Sequence, residues 1–190
     1  MKYSSIKGLS TPVSRIILGT MALNSEKQDF SNALLDEIYA LGINTFDSAL
    51  VYGNGCEVAL GRWVASRGLH DQVNIITKGA HHSPYRRRVT PYDILSDCNE
   101  SLARLGMETI DIYLLHRDDP SVPVSAIVDT LNRLYDAGKI RIFGVSNWTH
   151  ERILQANEYA DKYGLQPLTV SSPNYSLAEQ VDDPWGGGCV

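Results

Sequence analysis

The chain is poor in cysteine. Its three, Cys56, Cys98 and Cys189, are an odd number, widely spaced and without a Cys-x-x-Cys pair. That argues against a disulfide framework and a zinc site, and suits a reducing compartment. Long apolar runs are missing too: no stretch approaches the roughly 18 residues of a membrane span. The N-terminus, Met1-Lys2-Tyr3-Ser4-Ser5-Ile6-Lys7-Gly8, lacks the apolar core of a secretory signal. The expected location is therefore cytoplasmic, with no membrane partner. An excess of basic charge is also absent. With 17 Lys and Arg against 22 Asp and Glu, the net charge of −5 gives no reason to expect nucleic acid as a partner, which normally needs a basic face. The one basic run, Arg86-Arg87-Arg88, reads as a solvated loop in preference to an anion site. No low-complexity segment or linker interrupts the sequence, so residues 1–190 read as a single domain.

What is present is a repeated unit: an apolar helix, a glycine, then a short β-branched strand. Leu34, Leu35, Ile38 and Leu41 gather on one helical face before Gly42 and the strand Ile43 to Phe46. A shorter helix from Glu57 to Ser66 ends at Gly68, before Val73 to Thr77. Thr90, Pro91 and Asp93 form the N-cap, first turn and capping-box position of a third helix, which ends at Gly106 before Ile110 to Leu115. Ile127, Val128, Leu131, Leu134 and Tyr135 mark a fourth helix, followed by Gly138 and the strand Ile140 to Val145. Thr149 caps a fifth, closing at Gly164 before Leu168 to Val170. An initial strand, Ile16 to Leu18, precedes them all.

Six strands alternating with five helices predict an α/β fold with a parallel sheet. A dinucleotide-binding open sheet should carry Gly-x-Gly-x-x-Gly after its first strand, whereas Gly19-Thr20-Met21-Ala22 stands there. Gly53-Asn54-Gly55 follows the second strand and reads as a loop turn. Polar residues instead gather where several strands end: Asp47, Lys78, His116, Ser146 and Asn147. That distribution is the signature of a (β/α)8 TIM barrel. About six strand-helix units are present where a closed barrel has eight, so the expectation is an incomplete barrel, truncated after the sixth strand. Its two outer strands would then offer open edges, a route to self-association.

Asp47, Tyr52, Lys78 and His116 make a workable proton-donor set if one rim gathers them. A phenol is a poor acid, with a reference pKa of about 10, and a neighbouring ammonium favours its ionised form. An aspartate would keep the lysine charged and fixed, and a histidine would orient a carbonyl or relay a proton. Phe46-Asp47-Ser48-Ala49 leading to Tyr52-Gly53, then Thr77-Lys78, Asp111-Ile112-Tyr113-Leu114-Leu115-His116 and Gly144-Val145-Ser146-Asn147 together resemble the aldo-keto reductase family in order and strand-end placement.

The resemblance implies an NADPH-dependent oxidoreductase that reduces an aldehyde or ketone, with a small-molecule carbonyl substrate. In those terms Tyr52 is the general acid, Lys78 and Asp47 tune its acidity, and His116 holds the carbonyl. Ser146 and Asn147 match the pair that binds the nicotinamide carboxamide. Gly19, Thr20 and Met21 match the loop lining the cofactor pocket, which Asp47 also borders. Ser172 stands where the family commonly has a glutamine, a further carboxamide ligand, three residues before Tyr175. The segments that grip the pyrophosphate and the 2′-phosphate in the family would lie beyond Val190. Two alternatives accompany this reading. One is a non-catalytic remnant that binds a partner. The other is a metal-dependent hydrolase built on His81, His82, His116, Asp118, Asp119 and Asp47, disfavoured because Lys78 would oppose a cation; no metal ligand is assigned.

Overall fold

A computed structural model describes residues 1–53, 55–175, 177 and 181. The readings that touch Asn54, Ser176, Cys189 and the terminal 186–190 lie outside the described residues.

Each helix expected from the sequence forms: α1 (Gln28–Ala40), α2 (Cys56–Arg67), α3 (Pro91–Leu105), α4 (Val124–Asp136) and α5 (His150–Tyr163). The start of α3 follows the predicted chemistry. The Thr90 hydroxyl accepts from the Asp93 N–H and the Asp93 carboxylate accepts from the Thr90 N–H, each at 3.3 Å. Two donors that a helix start leaves unsatisfied are thereby bonded. Gly106 ends the helix at φ +65°, a left-handed conformation that costs glycine no Cβ clash.

The strands were less well placed by pattern. A hairpin that the sequence did not suggest opens the chain, β1 (Tyr3–Ser4) antiparallel to β2 (Val13–Ser14). The main sheet holds β3 (Leu18–Gly19), β4 (Thr45–Asp47), β5 (Asn74–Gly79), β6 (Ile110–Leu115), β7 (Ile140–Ser146) and β8 (Val170–Ser172). All six are parallel and neighbours follow chain order. Ile16 and Ile17, expected in the first strand, lie before it and are exposed. The Ser14 hydroxyl donates to the Ile16 carbonyl at 2.8 Å and bends the chain there, so pairing begins only at Leu18. The second and sixth strands likewise sit about two residues later than apolar content alone implied, because they run on into polar rim residues.

The sheet curls, giving a partial (β/α) barrel with two apolar layers. Alternate residues point to opposite faces. Phe46, Ile75, Tyr113, Leu115, Phe143 and Val145 face outward and pack with the helices into the larger core. Ile76, Ile112, Leu114 and Ile142 face inward and form a second cluster, which Ile6 and Leu9 of the hairpin segment cover. The hairpin is tied to the strands' starting ends: the Ser14 N–H donates to Asn44 Oδ1 at 3.0 Å, and the Thr11 hydroxyl to the Asp71 carbonyl at 3.0 Å. The opposite end, where strands finish, is left to the polar residues.

Candidate active site

Register explains why those polar residues converge. Asp47 pairs laterally with Ile76, Lys78 with Leu114, and Ser146 with Ser172. Ile76 and Leu114 belong to the inward cluster, so period-two alternation puts Asp47, Lys78 and His116 on that same face, at the finishing end. Tyr52 reaches the group from the loop after β4. That loop is fastened to the next strand: the Ser48 N–H donates to the Ile76 carbonyl at 2.8 Å, and the Leu50 N–H to the Lys78 carbonyl at 2.9 Å. A further bond from the Tyr52 N–H to the Ala49 carbonyl, 3.0 Å, turns the phenol back toward the rim.

The ammonium of Lys78 is the hub. It is buried, lies 2.7 Å from the Asp47 carboxylate, and donates to the Ser48 carbonyl at 2.9 Å. Its third neighbour is the Tyr52 hydroxyl, 3.5 Å away. A buried cation needs a counter-charge and satisfied donors, and this arrangement supplies both.

His116 completes the wall. Its ring stands edge-on to Tyr52, with centroids 6.1 Å apart, and to His81, 4.8 Å apart. Burial, then the positive charges of Lys78 and Arg117 and the neighbouring His81, pushes its pKa down to about 3. It is therefore a neutral imidazole, with Nδ1 buried and without a hydrogen-bond partner.

Ser146 and Asn147 lie on the adjoining strand end. The Ser146 hydroxyl donates to the Ser172 carbonyl at 2.9 Å, and the Asn147 amide to the His116 carbonyl at 3.3 Å. Asn147 sits at φ +59°, a left-handed conformation that asparagine tolerates better than most residues. Together with Asp47, Tyr52, Lys78 and His116, these residues line one cleft of about 420 Å³, which Met21 and Ser172 also border. Gly19 lies in the adjoining barrel interior. Thr20 is fully buried, and its hydroxyl and N–H both donate to the Asp47 carbonyl, at 3.1 and 3.0 Å. It thus braces the end of β4 from behind.

Other residues singled out from the sequence have different surroundings. Arg86 forms a two-point pair with the buried Asp93, at 2.8 and 2.6 Å, and Arg88 pairs with Asp97. The basic run does lie in a loop, with Arg86 and Arg87 half-exposed, but each arginine is paired: Arg86 and Arg88 with carboxylates on α3, and Arg87 with Asp119. Asp118 is held by Arg152 at 3.0 Å, and Asp119 by Arg87 at 3.4 Å. Among the described residues, no group of three or more His, Cys, Asp or Glu side chains is placed to hold a metal ion. Sequence reasoning named His81 only as a possible metal ligand and not as a wall of the carbonyl cleft, although its position three residues after Lys78, in the loop that follows β5, was the available signal. It also passed over Arg117, which is buried on the cleft wall and donates to the His116 carbonyl at 3.2 Å.

A family model described as "Aldo/keto reductase family" matches residues 15–184. The chain belongs to the aldo/keto reductase family. It is also similar to several curated proteins over much of its length. It is 34% identical over 194 residues to "Aldo-keto reductase YhdN" of Bacillus subtilis, covering 95% of this chain and 55% of that protein. It is 32% identical over 148 residues to "Putative voltage-gated potassium channel subunit beta" of Schizosaccharomyces pombe, covering 75% and 43%. It is 33% identical over 179 residues to "Norsolorinic acid reductase stcV" of Emericella nidulans, covering 83% and 46%. The chain spans about half the length of these relatives. Among the described residues no helix is long and apolar enough to cross a membrane.

Proposed function

We propose that the chain carries the catalytic rim of an NADPH-dependent oxidoreductase that reduces an aldehyde or ketone to an alcohol. The observation that supports this most is the Asp47–Lys78–Tyr52 chain, with the phenol 3.5 Å from a buried, charge-paired ammonium. In this reading the Tyr52 hydroxyl gives its proton to the oxygen of the reduced carbonyl. Lys78 stabilises the phenolate that remains, and Asp47 holds Lys78 charged and in place. His116 is neutral, so it orients the carbonyl by hydrogen bonding instead of by full charge.

The residues present fit the nicotinamide end of the cofactor. The cleft volume is that of a small-molecule site, and its wall carries a hydroxyl at Ser146 and a carboxamide at Asn147, groups able to pair with another carboxamide. Bound there, NADPH supplies the hydride. Ser146 and Asn147 would hold the carboxamide, with Ser172, Gly19 and Met21 bordering the ring, while Thr20 keeps the Asp47 backbone in register.

The test is Tyr52→Phe in the full-length protein. Turnover of a small aldehyde is expected to fall by about 10²- to 10⁴-fold, the usual worth of a positioned proton donor, while NADPH affinity, read by nicotinamide fluorescence, changes less than about threefold. Equal loss of both would remove Tyr52 from the acid role. A second reading, a binding subunit without turnover, draws on the names of relatives such as the putative potassium channel β subunit of Schizosaccharomyces pombe. Saturable NADPH binding without oxidation by any aldehyde would favour it.

A further inference from the structure

The turn that follows Lys78 is held in an unusual shape by a helix residue that is not itself part of the cleft lining. Ala80, two residues after Lys78, is fully buried and adopts φ +59°. L-residues other than Asn and Asp seldom take this left-handed conformation, because Cβ approaches the backbone. The surroundings must therefore impose it. Gly79 before it cannot be larger: a Cβ there would overlap the Tyr113 hydroxyl and lie 2.8 Å from Asp97 Cβ. The Ala80 N–H donates to Asp97 Oδ2 at 2.8 Å. The other oxygen of that carboxylate receives Arg88. The residue after the turn is His81, whose ring packs on His116 and lines the cleft.

We propose that Asp97, on α3, is a positioning residue: its carboxylate pins the Ala80 turn and so sets the His81 ring against His116, fixing the shape of the carbonyl pocket. Asp97 is not part of the cleft lining. It acts through one backbone N–H, and its two oxygens are both required because they face two donors, the Ala80 amide and the Arg88 guanidinium. The kinetic part of this inference rests on the reductase reading above; the structural part does not.

Asp97→Asn separates these demands. The substitution is nearly isosteric but leaves one oxygen and an NH₂ facing two donors, so one contact must break. In full-length protein the His81 and His116 ring resonances are expected to move, and KM for a small aldehyde to rise about three- to tenfold with kcat within about twofold, the pattern of lost ground-state positioning. In the double variant Arg88→Ala/Asp97→Asn only the Ala80 amide needs the oxygen, so ring resonances and KM are expected to return most of the way. Unmoved resonances in the single variant, or no recovery in the double, would overturn the proposal. A third arm needs no variant. The Ala80 amide of the unmodified protein is expected among its slowly exchanging protons, and rapid exchange there also overturns the proposal. If turnover is absent altogether, the reductase reading fails while the resonances and amide exchange still decide the role of Asp97.

Discussion

Acidification offers a quantitative test of the cleft through His116. In the fold its pKa is pushed from 6.5 to about 3, first by burial and then by Lys78, His81 and Arg117. Unfolding returns the ring to water, where its value is about 6.5. Above that pH the ring is neutral in both states and adds no pH dependence. Below it, the unfolded chain binds a proton that the folded chain refuses until about pH 3. The folded value is depressed, so the stability present above 6.5 is lost as pH falls through this window. For one group with these two values the loss between about pH 7 and about pH 5 is about 2 kcal/mol. Asp93, held at about 2 by Arg86 and Thr90, contributes its loss only in more acidic solution. Glu57, Asp111 and Asp118, raised by burial, act in the opposite sense. The measurement is therefore a difference: urea unfolding at both pH values, for the protein and for His116→Asn, in which the carboxylates and His82 largely cancel. The variant is expected to lose about 2 kcal/mol less on acidification. Equal losses, or a His116 ring resonance that titrates near its ordinary value, would refute the claim that the cleft holds a neutral imidazole.

Two further tests probe how the helices that carry the site are seated. A methyl group added in Gly61→Ala would overlap the Leu105 carbonyl oxygen and stand 2.6 Å from the carbonyl carbon. Backbone cannot rotate aside, so α2 and α3 must part, with an expected loss of about 1–3 kcal/mol in urea unfolding. Thr90→Ala removes the hydroxyl that accepts from the Asp93 N–H at the start of α3. It is expected to cost about 1 kcal/mol, seen as a melting temperature about 2–4 °C lower; an unchanged melt would show that Arg86 alone suffices to hold Asp93.

Much of this was legible in the sequence, for identifiable reasons. Helices were easy to read because their signals are local: Thr90, Pro91 and Asp93 at one end of α3 and Gly106 at the other fix its limits without reference to anything distant. Strands were harder. Pairing, not apolar content, decides where a strand begins and ends, which is why Ile16 and Ile17 fall outside β3 and why Ser171 and Ser172 fall inside β8. The opening hairpin escaped notice because its paired segments are two residues each, too short for any periodicity to show. The site was legible because its members sit at strand ends, where a change from apolar to polar is visible in the sequence. Asp97 and Arg88 were not, since an acidic residue on a helix and a basic one in a loop look like solvated surface until the fold brings them together.

The same alternation that gathers the site also protects it. Thr77 and Lys78 are neighbours on β5 and both buried, yet they serve different chemistry on opposite faces of the sheet. Outward, the Thr77 hydroxyl donates to the buried Glu57 carboxylate at 2.6 Å. Inward, Lys78 meets Asp47 and Tyr52. A slip of one residue in β5 would exchange these faces, sending the ammonium toward Glu57 and leaving Asp47 beside a hydroxyl. Both charges would still find a partner, so ion pairing alone does not choose between the two registers. Only the observed one leaves a cation beside the Tyr52 phenol, and the register is fixed chiefly by residues that carry no chemistry: Ile76 and Ile112 paired in the inner cluster, with Ile75 on the other face in the larger core.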